Sequence, residues 1–157
     1  KGMTETPKQQ YYFAYGSNMN AERVRSRGMP FTRRVRARLK GYKLRFNKRA
    51  KNIPGCGHAN VVASPEGFVE GILYSLPDAR AIEMMDPFEG YPVRYNRERL
   101  AVEAAEHVAV AWVYIANPEY VQEGLKPSED YLAHLLAGDD LLTPEYVAAL
   151  QAIEVHR

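Results

Sequence analysis

The most constraining feature of this chain is the segment RVRARLKGYKLRF, residues 34–46, in which basic and apolar residues alternate. A period of two places every second side chain on the same face of an extended strand. The apolar face would consist of Val35, Ala37, Leu39, Tyr42, Leu44 and Phe46, with arginine and lysine between them. The segment therefore predicts a half-buried strand, bent or broken into two near Gly41.

Further strands are predicted around this one. QQYYFAY (9–15) reads as the first strand, HANVVAS and FVEGILYSL (58–64 and 68–76) as two strands joined by a Pro-Glu-Gly turn, and RERLAVEAA and HVAVAWVYIA as a hairpin over 97–116. Four helices are expected over 20–28, 77–90, 127–140 and 143–153, with Asn20, Ser128 and Thr143 as N-caps and Pro87 ending the second. The predicted fold class is α+β, a mixed, mostly antiparallel small barrel of about six strands with flanking helices.

The length of 157 residues fits one domain, which we place at 10–157 behind a disordered segment, 1–9. We interpret Lys1-Gly2 before Met3 as a possible tag remnant. No apolar run is long enough to cross a membrane. The single cysteine, Cys56, fits a reducing compartment, and we expect the protein to be cytoplasmic. The histidines and Cys56 lack metal-ligand spacing, so no metal is expected.

Positive charge is concentrated in one part of the chain. Residues 23–51 hold 13 lysines and arginines and no acidic residue, although the whole chain has a net charge of only +2. Such a segment can attract a nucleic acid or another anion. The alternation described above favours the other interpretation, a solvated strand face.

The loop Gly16-Ser17-Asn18 follows the first predicted strand and precedes a helix. Glycine allows close approach of a ligand to the backbone, and consecutive N–H groups at such a turn can bind an anion. The loop lacks the glycine spacing of a nucleotide-binding motif. A turn in which Asn18 or Asn20 caps the helix explains the same residues equally well.

Glu89, in MMDPFEGYPVRY, is the candidate for proton transfer. A carboxylate beside aromatic residues would have a raised pKa if it were buried, which suits a general base near neutral pH. An exposed carboxylate in a turn is the simpler interpretation of the residue alone. Asp86 is the competing carboxylate, and Ser17 has no identifiable partner base for nucleophilic catalysis.

The chain contains 11 tyrosines. Six of them lie on or beside predicted strands and helices: Tyr12, Tyr15, Tyr74, Tyr95, Tyr114 and Tyr131. A buried tyrosine needs a partner for its hydroxyl, so most of these are expected in the core and one or two at a pocket.

Four segments in order resemble the gamma-glutamylcyclotransferase family (AIG2-like). YYFAYGSNM resembles its opening signature, FVEGILYSL its V-x-G strand, MMDPFEGYPVRYNRERLAV its L-D-x-x-E-G segment, and residues 127–153 its P-S-x-x-Y helix and final helix. The resemblance covers nearly the whole chain from Tyr11. Pro87, just before Phe88-Glu89, departs from the usual pattern and could re-aim the glutamate.

The resemblance implies a cofactor-free enzyme on a gamma-glutamyl amino acid or amine. The substrate's own α-amine would attack its γ-amide, giving 5-oxoproline and a free amine, with Glu89 as general base and acid. The implied substrate-binding residues are Tyr12, Phe13, Ala14, Tyr15, Gly16, Ser17, Asn18, Tyr95, Tyr114 and Tyr131. The implied partner is a small molecule. We expect no membrane partner, and we expect the protein to be a monomer or a homodimer.

Three alternatives stay open. The same fold and Glu89 could act on another gamma-glutamyl compound such as glutathione, although the family's glutathione-acting relatives differ after Tyr-Gly-Ser. The basic segment 23–51 could instead make the protein a nucleic-acid- or anion-binding module, whose affinity would fall steeply with salt. An inactive scaffold of the same fold would bind no small molecule.

Overall fold

The computed structural model describes residues 8–157, so residues 1–7 of the segment expected to be disordered lie outside the described residues. Gln9 is held at the sheet, since its side-chain amide donates to the Leu76 carbonyl at 2.9 Å. Five strands and four helices follow: β1 Gln10–Ala14, α1 Ala21–Ser26, β2 Arg33–Arg49, β3 Gly57–Leu76, α2 Ala81–Glu89, β4 Tyr95–Ala104, β5 Val108–Ala116, α3 Glu129–Leu136 and α4 Pro144–Gln151. The assignment of 10–157 to one domain stays a prediction.

The five strands close into a barrel in the order β1-β3-β2-β4-β5. The pairs β1–β3, β2–β3, β2–β4 and β4–β5 are antiparallel. The barrel closes through a parallel contact between β1 and β5, where Tyr12 lies opposite Trp112. The predicted α+β class and mixed, mostly antiparallel barrel are confirmed.

The prediction of two strands joined by a turn in residues 58–76 was wrong, and this accounts for five strands instead of about six. Both halves pair with β2, not with each other: Phe68 lies opposite Lys40 and Ala63 opposite Tyr42. The Pro-Glu-Gly residues therefore form an irregularity in one long strand, β3. Gly41 faces this irregularity with a φ of +86°, where the sequence predicted the bend in β2.

Each face of the barrel sheet contributes to a different apolar core. Phe13, Leu39, Val69 and Leu73 belong to one cluster, which strand residues such as Val102 and Val113 complete. Tyr12, Ile72 and Tyr74 belong to the other cluster, together with residues of the helices. Alternation along β1 and β3 thus divides neighbouring residues between the two cores.

Three helices begin at the N-cap residues predicted from the sequence. Asn20 accepts hydrogen bonds from the N–H groups of Glu22 and Arg23, Ser128 from that of Tyr131, and Thr143 from that of Tyr146. These side chains satisfy backbone donors that the first helical turn leaves free. None of the helices in the described part of the chain is long and apolar enough to cross a bilayer.

Helix α2 differs from the prediction at its end. Pro87 was expected to terminate it, but the helix includes Pro87 and continues to Glu89. It ends at Gly90, whose φ of +65° is left-handed and whose N–H lies near the carbonyls of Asp86 and Pro87. Glu89 is therefore the last helical residue.

Candidate active site

A pocket of about 120 Å³ lies where the end of β1, the end of α2, and strands β2 and β3 meet. Seventeen residues line it: Tyr12, Tyr15, Gly16, Ser17, Asn18, Arg23, Arg27, Lys48, Lys51, His58, Ala59, Phe88, Glu89, Arg94, Tyr95, Tyr114 and Tyr131. Aromatic and cationic side chains dominate this wall. Glu89 is the one carboxylate among these described lining residues.

The loop after β1 reaches the pocket because Gly16 has no side chain. A Cβ there would lie 3.0 Å from the Tyr131 hydroxyl and 3.1 Å from the Ala59 Cβ. After Gly16 the chain makes one 3-10 turn, Ser17–Met19, closed by a hydrogen bond from the Met19 N–H to the Gly16 carbonyl. The N–H groups of Ser17 and Asn18 precede the donor of that bond, so the turn does not use them.

The Asn18 side chain ties the loop to both α1 and β1. Its amide nitrogen donates to the Tyr12 hydroxyl at 2.9 Å, and its oxygen accepts from Arg27 Nη1 at 3.2 Å. The Asn18 carbonyl accepts from the Tyr74 hydroxyl at 2.7 Å. The buried amide is therefore fixed in orientation at the pocket wall, and it does not cap α1, since Asn20 does.

Glu89 is directed into the pocket by the end of α2. Its side chain is only 14% exposed. Burial raises the pKa of the carboxyl above its usual range, while Arg27, Lys48 and Arg23 partly oppose that rise. A carboxyl with a raised pKa, accessible from a pocket, can both accept and release a proton near neutral pH.

Arg27 is the direct partner of Glu89. Its Nη1 lies 3.4 Å from Glu89 Oε2 and also bonds Asn18, so α1, the loop and α2 meet at one guanidinium. The guanidinium also stacks on Phe88, 5.0 Å from the ring centroid. The arginine is held in place by these contacts and keeps a positive charge beside the candidate base.

Most tyrosine hydroxyls at the pocket are engaged in bonds that fix the wall. Tyr15 donates to the Tyr114 carbonyl and Tyr95 to the Ala59 carbonyl, each at 2.6 Å. The Tyr131 hydroxyl accepts from the Ala59 N–H at 2.9 Å. Burial raises the pKa of each of these phenols, so they stay neutral and act as wall and hydrogen-bonding groups.

Asp86, the competing carboxylate, is engaged elsewhere. Arg97 binds both of its oxygens, at 2.9 and 3.0 Å, and the Tyr114 hydroxyl donates to Oδ1 at 2.7 Å. Its role in the structure is to link α2 to β4 and β5. It does not line the pocket.

Lys48 and His58 lie opposite each other on β2 and β3 and close the far wall. Burial and Arg94 lower the pKa of Lys48 to about 8, although Glu89 opposes this. Burial, followed by Lys48 and nearby arginines, lowers the pKa of His58 to about 4, so its ring is neutral at pH 7. This ring stacks on Tyr131, with centroids 4.5 Å apart.

The structure brings together nine of the eleven candidate residues. The two outside the lining are Phe13, whose side chain packs in one core, and Ala14, which is buried in the other. Their backbones pair with Leu73 and Ile72 of β3, so the strand ladder occupies them. The substrate-binding roles of all these residues stay predictions.

Sequence reasoning missed the cationic and imidazole part of the wall. The residues concerned are Arg23, Arg27, Lys48, Lys51, His58 and Arg94, together with Ala59 and Phe88. Four of these eight fall in the basic segment 23–51, which was interpreted as a solvated face. That interpretation suits the exposed residues Arg36, Lys40 and Lys43, but Lys48 is 3% exposed. The sequence offers no local signal that separates this lysine from the exposed lysines of the same segment.

No group of three or more His, Cys, Asp or Glu residues in the described part of the chain could hold a metal ion. Cys56 is buried and free. The chemistry available at the pocket is therefore that of one buried carboxylate, several cations, neutral tyrosines and backbone N–H groups.

A small closed barrel with one buried carboxylate in an aromatic, cationic pocket suits a small-molecule binding protein or an acid–base enzyme. The comparisons give the family: residues 12–133 match the model for gamma-glutamyl cyclotransferase, AIG2-like. Since this is most of the chain, the protein belongs to that family. None of the curated proteins matches the chain by sequence.

Solved structures agree with this assignment. One described as a gamma-glutamyl cyclotransferase is 25% identical, with a TM-score of 0.78 over 95% of this chain and 90% of the other. The human protein loc79017, described as uncharacterized, is 27% identical, with a TM-score of 0.79 over 94% and 89%. A yeast cyclotransferase specific to glutathione shares the fold at 15% identity, with a TM-score of 0.66 over 90% and 93%. Family and fold together support cyclotransferase activity on gamma-glutamyl compounds.

Proposed function

We propose that the protein is a cofactor-independent cyclotransferase on gamma-glutamyl amino acids or amines. The substrate's α-amine nitrogen forms a bond to its own γ-carbonyl carbon, and the bond from that carbon to the leaving nitrogen breaks. The products are 5-oxoproline and a free amine or amino acid. The observation that carries this proposal is Glu89, a buried carboxylate with a raised pKa in a pocket of a cyclotransferase-family fold.

The reaction needs little more than positioning and proton transfer. Because amine and carbonyl belong to one molecule, holding the substrate folded supplies much of the rate, and effective molarities of about 10⁵ M or more are attainable. Glu89 takes a proton from the α-ammonium so that the nitrogen can attack. It then returns a proton to the leaving nitrogen, which departs as a neutral amine.

The loop would hold the glutamyl end. The N–H group of Asn18, which the 3-10 turn does not use, would serve a carboxylate or the oxyanion that forms at the γ-carbon, while the N–H of Ser17 is directed at the Tyr131 hydroxyl. Gly16 lets this backbone come close to Tyr131, which borders the same space. The neutral tyrosine walls would exclude water, which strengthens each charged interaction with the substrate.

The test is release of 5-oxoproline from gamma-glutamyl dipeptides, gamma-glutamylamines and glutathione by the wild type and by Glu89→Gln. Glutamine keeps the shape but cannot carry the proton, so we expect turnover to fall by about 10²–10⁴-fold. Glu83→Gln, an exposed position on the same helix, is the matched control. A folded wild type that releases nothing from the panel would contradict the proposal. Full activity of Glu89→Gln would remove Glu89 from it.

The nucleic-acid alternative is weakened by where the basic residues lie. Arg34 is paired with Asp140, Arg38 lies 4.0 Å from Glu70, and Lys40 is paired with Glu103. Others of the segment point into the pocket. A face whose charges are divided in this way is a poor match to a continuous phosphate backbone.

A further inference from the structure

The Lys48 side chain is largely buried, and its ammonium opens onto the pocket without a partner from the protein. Its residue is 3% exposed, and among the described residues its ammonium makes no hydrogen bond and has no carboxylate within 4.0 Å. The Tyr95 ring lies beside the ammonium, with its centroid 5.4 Å from Nζ. An ammonium that is partly desolvated and has no counter-charge is unfavourable in a fold. Lys48 lines the pocket, so the missing counter-charge can come from a ligand.

The whole wall shares this excess of positive charge. Five cationic side chains line the pocket against the single carboxylate of Glu89: Arg23, Arg27, Lys48, Lys51 and Arg94. Arg27 is paired with Glu89, and the other four have no carboxylate partner in residues 8–157. The Nε of Arg23 is buried without a hydrogen-bond partner there. Burial is the main cause of the low pKa of His58, and Lys48 and the nearby arginines lower it further, as this positive charge would.

A gamma-glutamylamine and a gamma-glutamyl amino acid differ in the number of carboxylates they carry. Both carry the α-carboxylate of the glutamyl part, which the proposed reaction assigns to the loop after β1. Only the amino-acid form carries a second carboxylate, on the leaving group. A pocket with several unpaired cations is complementary to the second form.

We propose that Lys48 binds a carboxylate on the leaving group, so that gamma-glutamyl amino acids are preferred over gamma-glutamylamines. This inference rests on the proposed cyclotransferase function. The adjacent cations Arg94 and Lys51 at the same pocket add to the attraction. A carboxylate at this place compensates the ammonium that the fold leaves unpaired, and it also orients the leaving nitrogen towards Glu89.

The experiment compares two substrates of nearly equal size, gamma-glutamylalanine and gamma-glutamylalaninamide. We expect the wild type to favour the acid by about 10–100-fold in kcat/KM, the range for a lost hydrogen bond to a charged group. In Lys48→Met this ratio should fall towards one, mainly through KM for the acid. Lys43→Met, an exposed position on the same strand, should keep the wild-type ratio.

Two results overturn the inference while leaving the proposed function intact. One is a wild-type ratio near one. The other is an equal loss for both substrates in Lys48→Met, which would place the glutamyl carboxylate at Lys48. If the folded wild type cyclises neither substrate, the proposed function fails and this inference with it. Lys48→Gln, a second substitution that removes the charge, shows whether the result depends on the folding of Lys48→Met. Lys48→Met should unfold at a denaturant concentration at least as high as wild type, because a charge without a partner is removed.

Discussion

Arg27 Nη1 lies 3.4 Å from Glu89 Oε2, and each side chain is 14% exposed. Burial raises the pKa of the carboxyl, and the guanidinium lowers it. The two effects act on the same group, so Arg27 keeps the Glu89 carboxyl ionised at a lower pH than burial alone would allow. Under the proposed function, this pair sets the pH range in which Glu89 acts as the base.

The first prediction follows from that pair. In Arg27→Met the pKa of Glu89 should rise, because the nearest opposing charge is lost. The unprotonated form then appears only at higher pH, so the acid limb of kcat/KM against pH should move up by about one unit or more. The pH profile for 5-oxoproline release measures this.

Arg25→Met is the matched control for Arg27. Arg25 lies in the last turn of α1, just before Arg27, but it is half-exposed and paired with Glu22. Its loss should leave the acid limb in place. An unshifted limb in Arg27→Met would show that the pair does not tune the titrating group.

A second prediction separates the two carboxylates of α2. Asp86→Ala leaves Arg97, 11% exposed, without its carboxylate partner and removes the acceptor for Tyr114. The free energy of unfolding should drop by about 3 kcal/mol, as expected when one half of a buried pair is removed. Denaturant titration measures the drop.

Glu89→Gln provides the comparison for Asp86. The contact between Glu89 and Arg27 is longer than that between Asp86 and Arg97, and burial raises the pKa of Glu89, so its charge is disfavoured there. Glu89→Gln should therefore unfold at nearly the wild-type denaturant concentration. Equal destabilisation of the two variants would contradict the division of roles. So would loss of turnover in Asp86→Ala without loss of stability.

Local patterns predicted most of the fold. The alternation in 34–46 predicted β2, and three polar residues predicted the helix caps, because these signals depend on neighbours in sequence. The merger of 57–76 into β3 was not predictable in this way. It depends on both halves pairing with the same distant strand, and a Pro-Glu-Gly sequence is equally suited to a turn.

The site shows the same division between local and long-range information. The loop, Glu89 and the tyrosines were found through motifs and resemblance. Arg27 and Lys48 were not, since their roles depend on three segments meeting at one pocket. Within the basic segment, sequence alone does not distinguish a solvated lysine such as Lys43 from the buried Lys48.

A third prediction concerns Gly16. Gly16 has little space beside its Cα. In Gly16→Ala the new Cβ would press on the Tyr131 hydroxyl and on Ala59, at 3.0 and 3.1 Å. We expect a loss of about 1–3 kcal/mol in the free energy of unfolding, as for other overpacked sites. KM should rise as the loop moves, and unchanged stability with unchanged KM would contradict this account.

The last prediction concerns His58, whose pKa is lowered to about 4 by burial first and then by Lys48 and nearby arginines. In the unfolded chain the pKa of histidine is near 6.5, so between the two values the unfolded state binds a proton that the folded state does not. Stability is therefore full above about pH 6.5 and is lost as the pH falls towards 4. From pH 7 to 5 the wild type should lose about 2 kcal/mol from this residue.

His58→Phe tests that assignment. Phenylalanine can keep the stacking on Tyr131 but has no proton to bind, so its free energy of unfolding should fall less between pH 7 and pH 5. The difference between the two slopes, measured by denaturant titration at both pH values, isolates the imidazole. Identical slopes would mean that His58 has the same pKa in the folded and unfolded protein, which would contradict the pKa lowered by burial and by the nearby cations.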